Sequence, residues 1–249
     1  MSRGASPPEV RGEEQTARWV RAMFGRIAHR YDFLNHLLSF QLDRYWRART
    51  VRQVRDILER PGARVLDLCC GSGDLMLALD AAVPRGALVV GSDFAHPMLI
   101  VARHKIARRR SRALLVEADA LRLPLGDASM DLVTAAFGFR NLASYERGLE
   151  EMLRVLAPGG LAAILEFSQP PNALFAGVYR LYAQRVLPAV GGWISGSREA
   201  YAYLPDSVSK FPSAEVLARQ MEAAGFEAVG FERMSGGIVS LHRGEKPLS

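Results

Sequence analysis

Between residues 63 and 167 the chain repeats one alternation, a short apolar run followed by a stretch of helical period, and this alternation restricts the architecture more than any single motif does. The runs are ARVLDL (63–68), ALVVGSD (87–93), ALLVEAD (113–119), DLVTAAF (131–137) and LAAILEF (161–167). Such continuous apolar runs need cover on both faces, as the strands of a parallel sheet have. The stretches between them supply it. Leu99, Ala102 and Ile106 mark one helix, and Leu149, Met152, Leu153 and Leu156 mark another that stops at Pro158-Gly159-Gly160. This order predicts an α/β fold with a mostly parallel, doubly wound, Rossmann-like sheet. After a helix capped by Ser213 and carrying Leu217, Met221 and Ala224, the segments EAVGFERM and GIVSLHRG flank Ser235-Gly236-Gly237 and predict a terminal antiparallel hairpin.

Ahead of the sheet, Val20, Met23, Phe24 and Ile27 fall at i, i+3, i+4 and i+7. A second helical stretch, with Leu37, Leu38, Leu42, Tyr45 and Trp46, runs on to the Pro61-Gly62 break. Residues 16–60 are therefore expected to form an N-terminal helical cap behind a disordered tail, 1–15. The main domain spans 61–249, with an insertion at about 169–211 that is too long for an ordinary loop and is expected to serve as a lid. With 49% hydrophobic residues in 249, the chain can bury one sizeable core. Its 32 Lys and Arg against 26 Asp and Glu permit an anionic partner without identifying one. Cys69 and Cys70 are adjacent and without a basic neighbour, so packing is their expected role. The five histidines lack ligand spacing, and no metal site is expected. The chain opens without a signal peptide and has no span long enough for a bilayer, which predicts a cytoplasmic location and at most peripheral contact with the inner face of the membrane.

Chemistry concentrates where the first strand runs into CCGSGDL. Asp67-x-x-x-Gly71-x-Gly73 is a turn whose glycines let backbone approach a ligand closely. A dinucleotide fingerprint needs a third glycine where Met76 stands, which disfavours a nicotinamide oxidoreductase. S-adenosylmethionine has no pyrophosphate to cradle, and its amino acid moiety suits Gly71, Ser72, Gly73 and their N–H groups. Asp93 ends the next strand about 20 residues on, where a carboxylate takes both ribose hydroxyls. Asp119 ends the third strand and, with the backbone at Ala120, is placed to recognise the adenine edge.

The segments RYDFLNHLLS, VLDLCCGSGDL, AAFGFRN, RVLAPGG, ILEFSQP and GGIVSLHRG, in consistent order over roughly residues 20 to 245, resemble the quinone-biosynthesis C-methyltransferase family. The resemblance implies a class I S-adenosylmethionine-dependent fold in which Ser72, Asp93, Asp119 and Ala120 hold the methyl donor. It implies a polyprenyl quinol substrate, demethylmenaquinol first and a ubiquinone precursor as the alternative. Ala136 stands where some members carry a serine, and Lys210-Phe211-Pro212 where a His-Pro pair is common, so neither side chain is available for a role there. The reaction requires a group that steadies a ring phenolate. Arg140 and Asn141 of FGFRN, at the carboxyl edge, are the candidates, with Tyr31 and Asp32 of the cap closing over the substrate and serving proton transfer.

Leu174, Phe175, Val178, Tyr179, Leu181 and Tyr182 of the insertion are expected to line the route of the prenyl tail. RYWRARTVR and RHKIARRRSR offer basic faces to anionic lipid, and the cap helix offers a surface for a homodimer. Another small-molecule methyltransferase would share the cofactor half but not the FGFRN and LHRG segments. A nucleic-acid-binding protein would need an RNA-binding motif or interleaved aromatics, and the sequence has neither, so no nucleic acid partner is expected.

Overall fold

The five apolar runs become β1 (Arg64–Leu68), β2 (Leu88–Asp93), β3 (Leu114–Glu117), β4 (Met130–Ala136) and β5 (Leu156–Phe167) in a computed structural model that describes residues 4, 5, 7, 10, 12–181, 185 and 198–248. Two further strands, β6 (Glu227–Met234) and β7 (Val239–Glu245), form the terminal antiparallel hairpin, and β7 also pairs antiparallel with β5. The seven strands lie in the order β3-β2-β1-β4-β5-β7-β6. The order turns back between β1 and β4, which are parallel neighbours, and the crevice at such a reversal is where α/β sheets take ligands.

The period-2 alternation sorts each strand onto two apolar faces. Leu66, Leu68, Val133 and Ile164 face one side and pack with Leu149 and Met152 of α6 (Tyr145–Val155) and Leu217 and Met221 of α9 (Ala214–Ala223). Val65, Val89, Leu132 and Leu165 face the other, against Trp46 of α2 (Leu42–Gln53), Ile57 and Leu58 of α3 (Arg55–Leu58), and Leu75 to Leu79 of α4 (Asp74–Asp80). Ser144 and Ser213 cap α6 and α9, their hydroxyls accepting from the N–H groups of Arg147 and Val216. Leu156 belongs to β5 rather than to the helix before it, and a register irregularity opposite Met130 and Leu132 accommodates Pro158-Gly159-Gly160 inside the strand.

The N-terminal cap differs from expectation at its start. Helix α1 (Glu13–Leu38) takes in the last residues of the expected tail, and the Ala5 N–H donates to the Leu142 carbonyl at 2.7 Å. Tertiary ion pairs explain the early start: Glu13 meets Arg147 at 2.6 Å, Arg21 meets Glu117, and Asp32 meets Lys105 of α5 (His96–Arg109) at 2.6 Å. These contacts pin α1 across the carboxyl edge. The chain then reverses through Phe40 and Gln41, both at positive φ, into α2. Of the insertion, α7 (Ala173–Leu181) and α8 (Arg198–Lys210) are described; Tyr182 and the side chains of Tyr31 and Val178 lie outside the described residues.

Candidate active site

A cleft of about 930 Å³ opens at the carboxyl edge between the ends of β1, β2, β3 and β4, under the flank of α1 that carries Ala17 and Phe24. Gly71, Ser72, Asp93, Asp119, Ala120 and Asn141 all line it. Gly73 does not line it, but at φ 83° it makes the left-handed cap that starts α4. The turns after β1 and β4 meet closely, since a Cβ on Gly138 would stand 2.4 Å from the Cβ of Cys69. Met76 is fully buried beneath the first turn.

Asp93 is nearly buried and fixed from both sides, accepting from the Gly71 N–H at 2.9 Å and from the Ala95 N–H at 2.8 Å. Burial pushes its carboxyl up, and the backbone N–H groups oppose the shift. The same bonds fix the orientation of the carboxylate at the cleft. Asp119 closes a local turn by accepting from the Leu121 N–H at 2.9 Å. Asp67 stands at the floor of the cleft, 1% exposed, accepting from Thr134 Oγ1 at 2.7 Å. Burial pushes its carboxyl up to about 7. A buried carboxylate of that kind is completed by a cation.

A polar chain ties the cap to the turn. Lys105 Nζ lies 2.6 Å from Asp32, 2.6 Å from Asp74 and 3.1 Å from Ser72 Oγ, which itself donates to Asp32. Burial works to raise Asp74, but Lys105, Arg47 and His36 hold it below the usual carboxylate range. The structure thus joins Asp32 to the cofactor turn and leaves it off the cleft wall.

Arg140 and Asn141 part company within one short 3-10 turn, Phe139–Asn141. Asn141 lines the cleft and accepts from the Tyr203 hydroxyl of α8 at 3.2 Å. Arg140 turns inward. Its Nη1 lies 2.9 Å from Glu166 and also donates to the Phe137 carbonyl, while its Nε points to Ser207 at 3.4 Å. Both partners of the pair are buried, and Arg140 is not among the described residues that line the cleft. The expectation that its guanidinium steadies a phenolate directly therefore meets a side chain committed to the interior.

Asp67 and Arg47 are among the cleft residues to which the sequence reading gave no part in the site. Asp67 sits inside the quoted motif without a role of its own. Arg47 belongs to RYWRARTVR, expected to be a lipid-facing stretch, yet α2 buries Trp46 and Thr50 and turns Arg47 toward the cleft. An i, i+4 pair of buried positions was the available signal. His242 donates Nε2–H to the Ala214 carbonyl at 2.8 Å, and burial holds it neutral with its pKa lowered to about 4. Among the described residues, no cluster of His, Cys, Asp and Glu is arranged to hold a metal ion, and no helix is long and apolar enough to cross a membrane.

Strand order and cleft together define a Rossmann-like α/β fold of the kind found in SAM-dependent methyltransferases. The chain belongs to the ubiE/COQ5 methyltransferase family, whose model matches residues 10–246. It is 52% identical over 225 residues to the demethylmenaquinone methyltransferase of Thermus thermophilus, covering 90% of this chain and all of that protein. It is 46% identical to the ubiquinone/menaquinone biosynthesis C-methyltransferase UbiE of Syntrophotalea carbinolica, over 92% of this chain and 94% of that one. Among solved structures, a SAM-dependent methyltransferase from Aquifex aeolicus superposes with a TM-score of 0.58 at 19% identity, over 79% of this chain and 88% of that one. The [4+2]-cyclase SpnF superposes at 0.67 and 17% identity, over 98% of this chain and all of its own. The fold is thus shared with a protein named for a different reaction, and only the site can argue chemistry.

Proposed function

We propose that the chain transfers the methyl group of S-adenosylmethionine to a ring carbon of a polyprenyl quinol, demethylmenaquinol before a ubiquinone precursor. The observation that carries this is one cleft with an acidic group at each of three successive strand ends, in a chain of this family. S-adenosylmethionine supplies an already electrophilic methyl, so the protein's task is to align, exclude water and manage protons. Asp93 suits the ribose hydroxyls, Asp119 and Ala120 the adenine, and Ser72 with the turn the amino acid moiety. Asp67 offers its carboxylate to the cationic end. Asn141, oriented by Tyr203, faces the reacting volume and can hold a water or a quinol oxygen. Asp32 and Lys105 close the cap over the turn; Tyr31 is proposed beside them.

Incubation with labelled methyl donor and each demethylated quinol, followed by mass analysis, tests the assignment. Ring-methylated menaquinol is the expected product, and no transfer to either quinol overturns it. Asp93→Ala is expected to weaken S-adenosylmethionine binding about tenfold or more by calorimetry, through lost bonds to a charged acceptor. An unchanged dissociation constant counts against the ribose role.

The prenyl tail requires access to lipid, and the structure's exposed apolar side chains favour one face for it. Leu37, Phe40, Leu42 and Tyr45 stand out around the α1–α2 turn, with Leu174, Phe175 and Leu181 on α7. The two groups share the carboxyl edge: Trp46 donates to Ser235 at 2.9 Å, and Phe175 lies against Gly236 of the same turn. By contrast, α5 starts at that edge and ends at Arg109, so most of RHKIARRRSR lies toward the opposite edge. Peripheral contact with an anionic membrane is therefore proposed through the α1–α2 turn. In vesicle co-sedimentation, Phe40→Asp is expected to lower binding about tenfold, the worth of one buried aromatic side chain, whereas Arg109→Ser leaves it nearly unchanged. The reverse ranking rejects this face. A homodimer through the cap helix would compete for the same surface.

A further inference from the structure

Among the described residues that line the cleft, Arg47 is the single basic side chain, set against the carboxylates of Asp67, Asp74, Asp93 and Asp119. An anionic substrate group brought into such surroundings is repelled unless a cation meets it. We propose that Arg47 is a catalytic residue that holds the ionised ring hydroxyl of the quinol during methyl transfer, an inference that rests on the quinol substrate named above.

Three observations support the assignment. The guanidinium carbon lies 5.8 Å from the centroid of the Phe137 ring, over the cleft wall. Phe137 is backed by Phe167 at 4.9 Å and Trp46 at 5.8 Å, an aromatic platform on which a planar quinol ring can lie with its oxygen toward the guanidinium. The side chain is also held in place beforehand. Its Nη1 pairs with buried Asp43, which accepts in addition from Ser39 Oγ at 2.8 Å and lies 2.7 Å from His36 Nδ1. Asp43 engages one of the five guanidinium N–H donors, and a fixed donor set of this kind stabilises developing charge without reorganising. Arg140 is unsuited to the task, being buried against Glu166.

The quinol hydroxyl gives its proton to solvent and leaves a phenolate paired with Arg47. The phenolate's electron pair, delivered through the adjacent ring carbon, forms the new C–C bond as the C–S bond of the sulfonium breaks and S-adenosylhomocysteine leaves. The methylated carbon then loses its own proton to solvent, which restores the aromatic ring as a phenolate, and one proton from solvent regenerates the hydroxyl. The net release is one proton per turnover.

The experiment compares wild type with Arg47→Gln and Arg47→Lys, assayed anaerobically on reduced demethylmenaquinol, with S-adenosylmethionine binding and thermal midpoint measured on each. The ionisable groups around the guanidinium are Asp43 on its own helix, His36 from α1, Asp74 from α4 and Asp67 from β1. Asp67, near 7, titrates within the usual assay range, so profiles are compared above about pH 8.5, where it is ionised. For Arg47→Gln, kcat is expected to fall about 100- to 1000-fold at the low end of that range with binding of the methyl donor within about threefold of wild type. The deficit should then shrink toward about tenfold per pH unit as the quinol ionises unaided. Arg47→Lys, which keeps the charge and the Asp43 pair, should retain an intermediate rate. A kcat within about threefold of wild type, or a deficit equal at every pH, overturns the proposal. So does a weakened methyl-donor affinity at unchanged kcat, which would assign Arg47 to the donor's carboxylate. If wild type methylates no quinol, the substrate assignment itself falls, before any variant is compared.

Discussion

Asp67→Asn is expected to raise the thermal midpoint by roughly 5–10 °C near pH 8 and to weaken S-adenosylmethionine binding about ten- to a hundredfold. The carboxyl is 1% exposed and its pKa is raised from 3.8 to about 7. In the folded protein the protonated form is favoured, so between these two values the native state binds more protons than the unfolded chain. Stability therefore falls as pH rises through that window, and the full cost, on the order of 4 kcal/mol, stands above about pH 7. Asparagine keeps an oxygen for the Thr134 hydroxyl and carries no charge to bury. The gap between variant and wild type should open from about pH 4 to 7 and stay level above, as followed by denaturant melts across that range. The loss of affinity has the same origin, because a carboxylate left without full solvation gains most from a cationic ligand. A gap between variant and wild type that is no larger at pH 8 than at pH 5, or a variant that binds the methyl donor as wild type does, contradicts this account.

The strand-end acids were legible in the sequence because short continuous apolar runs mark where a parallel strand stops. Asp93 and Asp119 followed from counting, and the hairpin from Ser235-Gly236-Gly237. What escaped depends on side-chain direction or charge state, neither of which a one-dimensional pattern carries. FGFRN places Arg140 and Asn141 at the correct edge, but the 3-10 turn sends one to Glu166 and the other to the cleft. RYWRARTVR is as arginine-rich as a solvated helix; Arg47 turns inward because Asp43, buried one turn earlier on the same helix, receives it. Asp67 is visible as a motif letter, and only its burial makes it titrate near neutrality. The start of α1 is set by ion pairs such as Glu13 with Arg147, far apart in sequence.

Arg140→Met alone should destabilise the fold by about 3–5 kcal/mol, a drop of roughly 6–20 °C in midpoint, whereas adding Glu166→Gln should recover most of it. Glu166 is fully buried; burial pushes its carboxyl up and Arg140 at 2.9 Å opposes the shift. Without that guanidinium the carboxyl rises further above its unfolded value, so the single variant should lose more stability as pH increases. In the double variant no buried charge is left uncompensated, and the Gln oxygen can still accept from one of the two backbone N–H groups, of residue 140 and of Phe167, that reach separate oxygens of Glu166. The recovery is a coupling that a thermodynamic cycle over the two sites measures directly. It also separates two roles for Arg140. If it acts by holding the turn that presents Asn141 and the Phe137 wall, the double variant regains turnover along with stability. If the guanidinium reaches the substrate oxygen in the closed complex, the double variant stays folded, binds the methyl donor, and turns over about 100-fold or more below wild type. The geometry, with Nη1 shared between Glu166 and the Phe137 carbonyl, favours the first outcome.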